Sequence, residues 1–387
     1  MSEINSSNFK KEHGDLAPDL VGVTELTSPY FFVPPSGNTA ERPEDCEPGT
    51  LRFNTDIGSL EVFRGKNIGW EQIQRRDGQY LGGGTGSNTG TGTRMCIVGG
   101  YTGAVVNTID YITISTFGNA EDFGDLASIT YSGGAVGNST RGFKLGGYSP
   151  GISNAVHVFT FASKGDAVDD VNLAAVTAYP GEFSNEVRGV LAGNSHPGAT
   201  NVIQFITLST TSDGQDFGDL SYAALAPAGC ASSTRGIFCG GQPPAGGVNT
   251  IEFVTIMTTG NTIDFGDMGE SKEQHMACSN STRGIISGGL NAPSTGSNVI
   301  NYITIATTGN AQDFGDMTYT NNRDGASGSS KTRGIVGAGG DPGASPYAKT
   351  GTINSVEIAT TGNAEDFGDL TSTRNHMAGC SNGHGGL

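Results

Sequence analysis

Apolar and polar residues alternate in short runs along most of the chain, and these runs recur at a regular spacing. The clearest copy is Asn298–Met317, NVINYITIATTGNAQDFGDM, where an alternating segment leads through a T-G-N turn into D-F-G-D. Alternation with period two predicts half-buried strands, and Gly-rich turns between such runs predict hairpins. Edited copies of this segment begin at Asn107, Asn154, Asn201, Asn249 and Asn354.

A second recurring piece precedes each copy and usually reads T-R-G, two or three apolar residues, and Gly-Gly. Its arginine returns about every 47 to 50 residues. This period is the one expected of a propeller blade built from four strands. The six arginines are Arg94, Arg141, Arg188, Arg235, Arg283 and Arg333.

One repeat is predicted to contain four strands. In the unit that starts at His275 they are Met276–Ser279, Arg283–Ser287, Asn298–Thr307 and Asp313–Met317. A Gly-Gly pair after strand two and an Asn-led third strand resemble the kelch repeat, and the resemblance covers about residues 93–387. It implies a β-propeller, with the Phe of D-F-G-D standing where the kelch repeat has its fourth-strand Trp.

The two ends of the repeat region predict how the fold closes. The repeats begin inside a second strand at Thr93 and finish with a first-strand segment at residues 376–382. We therefore expect the C-terminal strand to complete the first blade beside Arg94–Gly99, which would leave no exposed sheet edge. The predicted class is all-β: a six-bladed kelch-like β-propeller over residues 94–387, closed by a C-terminal strand.

The residues before the repeats divide into three segments. Residues 1–45 predict an extended arm, because the apolar patch Phe31–Pro35 ends in two prolines that oppose helix. Residues 46–81 predict a small β-meander with Trp70 in its core. Residues 82–93, GGGTGSNTGTGT, predict a flexible linker, because they contain no side chain able to form a core.

The meander also carries a second resemblance. The segment CEPGTLRFNTDIGSLEVFRGKNIGWEQI at residues 46–73 resembles one that is common in structural proteins of tailed bacteriophages, notably of marine bacteria and cyanobacteria. There it lies near the attachment end of tail-fibre or appendage proteins. The resemblance implies a protein of the phage particle surface or tail, bound to other virion proteins through its arm and meander.

Composition and charge narrow the function classes. The 62 glycines and 15% charged residues are typical of short strands and tight turns. A formal net charge of −17 argues against a nucleic-acid partner, which needs a basic footprint. We also expect no membrane insertion and no signal peptide. The cysteines are interpreted as small buried residues, since Cys230, Cys278 and Cys380 occupy matching repeat positions.

Paired carboxylates recur in five D-F-G-D copies. Five nearly identical pairs argue against a single active site, so we predict no enzyme activity, no catalytic residues, no metal and no cofactor, although calcium binding by these pairs stays open. We interpret the motif as bracing between blades, with each repeat arginine pairing bidentately with a carboxylate. The carboxylates are Asp122, Asp125, Asp216, Asp219, Asp264, Asp267, Asp313, Asp316, Asp366 and Asp369.

No two histidines in this sequence have the spacing expected of metal ligands. His275 and His376 each precede Met-Ala, so we assign them to one repeat position with a structural role. His196 lies in a variable loop and remains a contact candidate. We therefore look for function in the loops.

The loops between strands two and three vary from about 6 to 14 residues, whereas the other turns within a repeat are nearly constant. Variable loops on a rigid scaffold commonly carry binding residues. Tyr and Asn suit stacking on, and hydrogen bonding to, a host-surface glycan, although another receptor remains open. The ligand-binding candidates are Tyr101, Tyr148, His196, Gln242, Asn291 and Tyr347.

Three function classes remain open at this point. The first is a host-attachment protein of the virion. The second is a decoration or tail-assembly subunit whose propeller is purely structural. The third, a kelch-fold enzyme, would need a clustered metal or carboxylate site, which the sequence does not show. Self-association into a homo-oligomer is compatible with the first two classes.

Overall fold

The computed structural model describes residues 35–43, 46–56, 59–66, 69–72, 94–195, 198–210, 212–243, 247–291, 295–321, 325–341 and 348–387. These residues form β-strands and one short 3-10 turn, with no α-helix among them, so the all-β prediction is confirmed. The chain divides into two compact units, Met1–Arg76 and Asp77–Leu387. Most of the predicted arm and all of the predicted linker lie outside the described residues.

The first unit contains a four-stranded sheet in the order β1-β2-β3-β4, where β1 runs parallel to β2 and the other pairs are antiparallel. The three strands predicted for the meander are present as β2, β3 and β4. Its elements are β1 (Ser36–Gly37), a 3-10 turn (Thr39–Glu41), β2 (Leu51–Asn54), β3 (Ser59–Phe63) and β4 (Trp70–Gln72).

One face of this sheet buries polar side chains. Glu61 is fully buried, forms an ion pair with Arg42 and accepts a 3.0 Å hydrogen bond from the Asn54 amide. Trp70 is only half-buried and packs 5.5 Å from the ring of Phe63, which is the buried aromatic residue. The predicted core position of Trp70 is therefore wrong, because its indole N–H reaches out to a backbone carbonyl, at Pro43.

The described residues of the second unit form six antiparallel sheets. In chain order its strands are β5 (Arg94–Val98), β6 (Thr108–Thr113), β7 (Glu121–Asp125), β8 (Gly134–Gly137), β9 (Arg141–Tyr148), β10 (Ile152–Thr160), β11 (Val168–Asn172), β12 (Gly181–Ser184), β13 (Arg188–Ala192), β14 (Thr200–Thr207), β15 (Ser212–Ala224), β16 (Ala228–Ala231), β17 (Arg235–Cys239), β18 (Thr250–Thr255), β19 (Ile263–Asp267), β20 (Lys272–Glu273), β21 (Met276–Ser279), β22 (Arg283–Ser287), β23 (Leu290–Asn291), β24 (Thr295–Thr304), β25 (Gln312–Asn321), β26 (Ala326–Ser329), β27 (Arg333–Asp341), β28 (Ala348–Glu357), β29 (Glu365–Asp369) and β30 (Ala378–Ser381).

Five of the six sheets are built from strands that follow one another in the chain. They are β8–β11, β12–β15, β16–β19, β20–β25 and β26–β29. The sixth has the order β30-β5-β6-β7 and so combines both ends of the repeat region. The two ends of the repeat region meet in this sheet, where Cys380 in β30 lies opposite Cys96 in β5. This is the strand pairing expected from the sequence.

Six strands, one from each sheet, lie against one another in the order β8, β12, β16, β21, β26, β30 and back to β8. Four of these strands end in a serine whose hydroxyl donates to a carbonyl of the preceding sheet. Ser184 donates to Gly137 at 2.7 Å, and Ser381 donates to Ser329 at 2.6 Å. These six strands therefore contact one another in a cyclic order, and we call them the first strands below.

In the five sheets that contain it, the D-F-G-D motif joins the last strand to a neighbouring sheet. Its phenylalanines are buried, and its glycines have φ values near +150°. At Gly266 an added Cβ would lie 2.5 Å from the carbonyl oxygen of Gly309, in the turn of the neighbouring sheet. The backbone N–H of Asp267 donates to the Asn310 side chain there at 3.0 Å. Only glycine allows this close approach.

The repeat arginines contact carbonyls instead of the expected D-F-G-D carboxylates. Arg283 donates to the Ile358 carbonyl of the next sheet at 2.9 Å and lies over the ring of Tyr302 at 4.4 Å. Arg333 in the same way reaches Ile114 of the β5–β7 sheet at 3.0 Å. The carboxylates are mostly solvent-exposed, whereas the carbonyl just beyond each third strand lies beside the guanidinium, so the arginines still connect neighbouring sheets.

Candidate functional site

Four tyrosines and one histidine pack together in the second unit, in loops and at the end of β9. Tyr131 lies at the centre, with its ring centroid 6.1 Å from that of Tyr101, 5.5 Å from Tyr148 and 6.0 Å from His376. His376 in turn meets Tyr179 edge to face at 5.5 Å. We call these five residues the tyrosine cluster.

Backbone pairing between loops holds the cluster in place. Tyr101 follows Gly99 and Gly100, whose φ values of +63° and +117° turn the chain out of β5. Its N–H then donates to the Asn375 carbonyl at 2.9 Å. Tyr148 and Tyr131 exchange backbone hydrogen bonds of 2.9 and 3.3 Å. The loops after second strands and the loops before first strands therefore meet at this site.

The cluster is partly open to solvent. Tyr101 is 37% exposed, Tyr131, Tyr148 and Tyr179 are half-buried, and His376 is buried. Burial, reinforced by the neighbouring hydroxyls of Tyr148 and Tyr101, raises the pKa of Tyr131, so its phenol stays neutral at ordinary pH. The ammonium of Lys349 lies 4.9 Å from the ring centroid of Tyr101. The site thus combines aromatic surface, neutral hydroxyls and one cation.

A cavity of about 110 Å³ adjoins the cluster and is lined by residues of the first strands. Tyr179 lines the cavity as well as contributing to the cluster. At the opposite end, a short segment after β30 fills the space: the His384 Nε2 is 2.8 Å from the Gly137 carbonyl, and the Gly385 N–H donates to Ser279 at 2.8 Å. The cavity is therefore approached from the cluster end.

Polar groups line the cavity at several levels. The Glu182 carboxylate accepts a 3.2 Å hydrogen bond from the Ala135 N–H. His275 lies near the cluster end, with its Nε2 3.4 Å from the Cys239 sulfur. Burial, assisted by the charge of Lys272, lowers the pKa of His275 to about 3, so this imidazole is neutral.

The structure brings together two of the six residues predicted from the sequence, Tyr101 and Tyr148. Gln242 is exposed in another loop, where its backbone pairs with Leu225. Asn291, the last residue of β23, donates through its amide to Glu270 at 2.7 Å, in the loop that leads into β20 of the same sheet. His196 and Tyr347 lie outside the described residues.

Three members of the cluster are not among the residues predicted from the sequence: Tyr131, Tyr179 and His376. Tyr131 and Tyr179 lie in the loops before first strands, whereas candidates were sought only in the loops after second strands. A search of both loop sets for aromatic residues would have found them. The signal was available because hairpin parity places both sets at the same end of each sheet.

The shared repeat position assigned to His275 and His376 is wrong by one residue. His275 directly precedes β21, whereas His376 is separated from β30 by Met377. The residue equivalent to His376 is Gln274, and both have left-handed φ values, of +56° and +53°. One extra residue before Cys380 therefore turns His376 into the tyrosine cluster, while His275 lines the cavity.

Some kinds of site are not found in the part of the chain that the structure describes. No group of three or more His, Cys, Asp or Glu side chains there could hold a metal ion. No helix there has the length and apolar character needed to cross a membrane. A scan against protein-family models and a search of curated proteins each found no match to the chain. The site must therefore be interpreted from its own chemistry.

Proposed function

We propose that this chain is a tailed-bacteriophage virion protein of the tail-fibre or appendage type. Its second unit is a six-bladed kelch-like propeller that binds a host-surface carbohydrate through the tyrosine cluster. The observation that carries the proposal is the convergence of four tyrosines and His376 from separate sheets.

Three features support the propeller. Six four-stranded patterns repeat in the sequence, their first strands contact one another in cyclic order, and β30 pairs with β5. The repeat arginines follow the same cyclic order, with Arg333 of the last complete repeat reaching Ile114 in the first. Six blades joined in this way leave no unpaired sheet edge between the first and the last.

The chemistry of the cluster favours a carbohydrate. Tyrosine offers a rigid apolar face for the C–H side of a sugar ring and a hydroxyl for its polar edge, at little conformational cost. The exposed face of Tyr101 and the half-buried rings around it supply both kinds of contact. The net charge of −17 does not suit a phosphate backbone as the alternative ligand.

The virion assignment depends on the resemblance of residues 46–73 to phage structural proteins. The exposed side chains of Leu51 and Leu60, at 47% and 39%, give this unit an apolar face suited to contact with another virion protein. The same face supports the second candidate, a decoration or tail-assembly subunit with a purely structural propeller. Both candidates place the protein in the particle, so only ligand binding separates them.

Binding of the full-length protein to host cells tests the proposal. We expect Tyr101→Ala combined with Tyr148→Ala to reduce binding at least tenfold. Phe117→Ala is the matched control, because Phe117 is a similarly exposed ring, at 43%, on a turn away from the cluster. Protein that is present in purified particles but does not bind cells, before or after substitution, would support the decoration subunit instead.

A further inference from the structure

Lys144 is a charged residue at a repeat position that is otherwise apolar. It is the fourth residue of β9, and its side chain is only 1% exposed. Burial of an amine costs free energy unless other groups stabilise it, so a lysine here requires an explanation beyond packing. The equivalent residues of the other second strands are Ile97, Leu191, Phe238, Ile286 and Val336.

The buried amine lies between the two chain segments that carry the Tyr131 and Tyr148 rings. It donates a 3.0 Å hydrogen bond to the Gly146 carbonyl, two residues before Tyr148. A Cβ added to Gly133, two residues after Tyr131, would collide with the amine nitrogen, and one added to Gly147 would lie 3.0 Å from it. Tyr131 and Tyr148 exchange backbone hydrogen bonds beside these glycines. The amine therefore supports this pair of rings from below.

Charged and titratable groups surround the amine on three neighbouring strands. Glu182 of β12 is itself an exception, because the other first strands have Ala, Gly or Ser at this position. Its carboxylate attracts the Lys144 ammonium and accepts the N–H of Ala135, which lies opposite Lys144 in β8. His157 of β10 lies opposite Lys144 on the other side, and Asp169 of β11 lies opposite His157. The two exceptions to the repeat are therefore coupled to each other.

The Lys144 amine changes its charge near neutral pH. Burial outweighs the attraction of Glu182 and lowers the pKa of Lys144 from 10.5 to about 7. Burial and the charge of Lys144 lower the pKa of His157 below its ordinary value of 6.5, and burial raises the pKa of Tyr131 above 10. Among the amine, the imidazole and the phenol, the amine is therefore the group that gains or loses a proton between about pH 7 and 8.5.

Protonation makes the closed arrangement of the two rings less favourable. A buried ammonium gains free energy when water reaches it, whereas a neutral amine gains far less. Separating the chain segments at Gly133 and Gly147 would admit water to the amine, and would also move Tyr131 away from Tyr148. Proton uptake is therefore linked to opening of the ring pair.

We propose that Lys144 is a positioning residue of the tyrosine cluster, and that proton uptake by its amine separates Tyr131 from Tyr148 and weakens ligand binding. The opened arrangement, in which the amine contacts water, retains its proton to a higher pH than the closed one. Raising the pH above about 7 therefore favours the closed arrangement and increases affinity, whereas at lower pH both arrangements are protonated and affinity stays low. This inference rests on the proposed carbohydrate-binding function and names a regulation of that site.

Tyrosine NMR on the full-length protein tests the positioning without a ligand. The tyrosine Cζ atoms are labelled with carbon-13, and the two signals are assigned with Tyr131→Phe and Tyr148→Phe. We expect both signals to shift with a common midpoint at about pH 7, and to stay unshifted in Lys144→Met. His157→Gln is the control for the neighbouring imidazole and should retain the shift, since β14 has Gln204 at the equivalent position.

Binding of the full-length protein to host cells over the same pH range tests the consequence for function. We expect the affinity of the wild type to rise at least about threefold between about pH 7 and 8.5, relative to Lys144→Met. Taking this ratio removes any effect of pH on the cell surface. Lys272→Met is the matched control and should keep the rise, because Lys272 is also fully buried but its amine donates to the Val299 carbonyl of another sheet.

The two measurements separate this inference from the proposed function. Tyrosine signals that do not shift near pH 7, that shift equally in Lys144→Met, or that lose their shift in His157→Gln would overturn the role of Lys144. A pH-independent affinity ratio would overturn it as well. The expected NMR shift in a protein that binds cells at no pH would support the positioning role and overturn the proposed function. If Lys144→Met does not fold, the titrations of the wild type and of His157→Gln still decide the inference.

Discussion

Arg374 and Asp110 form a fully buried ion pair, with 2.9 Å between Nη1 and Oδ2, across 264 residues of sequence. Arg374 lies between β29 and β30, and Asp110 lies in β6. The Thr371 hydroxyl also donates to Asp110 at 2.8 Å, and Arg374 donates to the Ile97 carbonyl at 3.3 Å. The pair therefore fastens the chain segment leading into β30 to the sheet that β30 completes.

Removing one member of this pair should be strongly destabilising. Arg374→Met leaves a buried carboxylate without its cation, and we expect a loss of about 3–5 kcal/mol in the free energy of unfolding. The double variant Arg374→Met/Asp110→Leu should lose less than either single variant, since no charge remains buried. Urea unfolding of the three variants measures this, and simple additivity would show that the two residues are not coupled.

The D-F-G-D phenylalanines offer a test within the repeat itself. Phe314 is buried at 3% exposure, whereas the equivalent position of the sheet β8–β11 is the exposed Asp170. Phe314→Ala should cost about 3–5 kcal/mol, because it opens a cavity between sheets. Asp170→Ala should change stability by less than about 0.5 kcal/mol. Equal effects at the two sites would contradict the assigned packing.

The glycine of the same motif should tolerate no side chain. Gly266 has a φ of +148°, and a Cβ there would meet the Gly309 carbonyl at 2.5 Å. Gly266→Ala should therefore lower the melting temperature by several degrees, since the backbone of the neighbouring turn would have to move. Gly269→Ala is the control, because nothing lies within 4 Å of its Cβ position.

Lys144 predicts a stability that increases with pH. It is buried, its ammonium donates to the Gly146 carbonyl at 3.0 Å, and burial lowers its pKa from 10.5 to about 7. Above pH 7 the unfolded chain retains a proton that the folded chain has released, so the free energy of unfolding should rise by roughly 1.4 kcal/mol per pH unit. Below pH 7 the Lys144 amine is protonated in both the folded and the unfolded chain, so it no longer makes the free energy of unfolding depend on pH.

The unfolding measurements should be made between about pH 7 and 8.5. At higher pH, ionisation of the buried thiols in the unfolded chain lowers the stability and so opposes the effect of Lys144. The pKa of Cys239, for example, is raised to about 12 in the folded protein. Lys144→Met should remove most of the rise, and Lys272, whose pKa burial also lowers, should supply the remainder. Lys164→Met is the control, because Lys164 is exposed. An unchanged slope in Lys144→Met would contradict the assignment.

Local patterns predicted most of the strands, because alternation and Gly-rich turns act within a few residues. In the repeat from His275, the predicted strands Met276–Ser279 and Arg283–Ser287 coincide with β21 and β22. Partners across sheets were harder to predict. The arginines were paired with carboxylates on charge alone, whereas the carbonyls they contact are determined by how neighbouring sheets are placed.

The tyrosine cluster was also only partly predictable, because it too depends on contacts between repeats. Tyr101 and Tyr148 could be selected because they lie in loops that vary between repeats. Tyr131 and Tyr179 join them only because two loops from different repeats converge, and His376 because a single added residue alters the chain direction before β30. The alternation of apolar and polar residues contains no information on which loops converge. A comparison of equivalent positions in the repeats would, however, have identified Glu182 as an exception.

The pairing of β30 with β5 has a consequence for synthesis. Residues 94–98 leave the ribosome almost three hundred residues before their partner at 378–381. Until then β5 presents an unpaired edge beside hydrophobic side chains, in a nascent protein whose later repeats have already formed. Premature termination before Ala378 would make this exposure permanent, and such products should be the preferred substrates of chaperones and proteases.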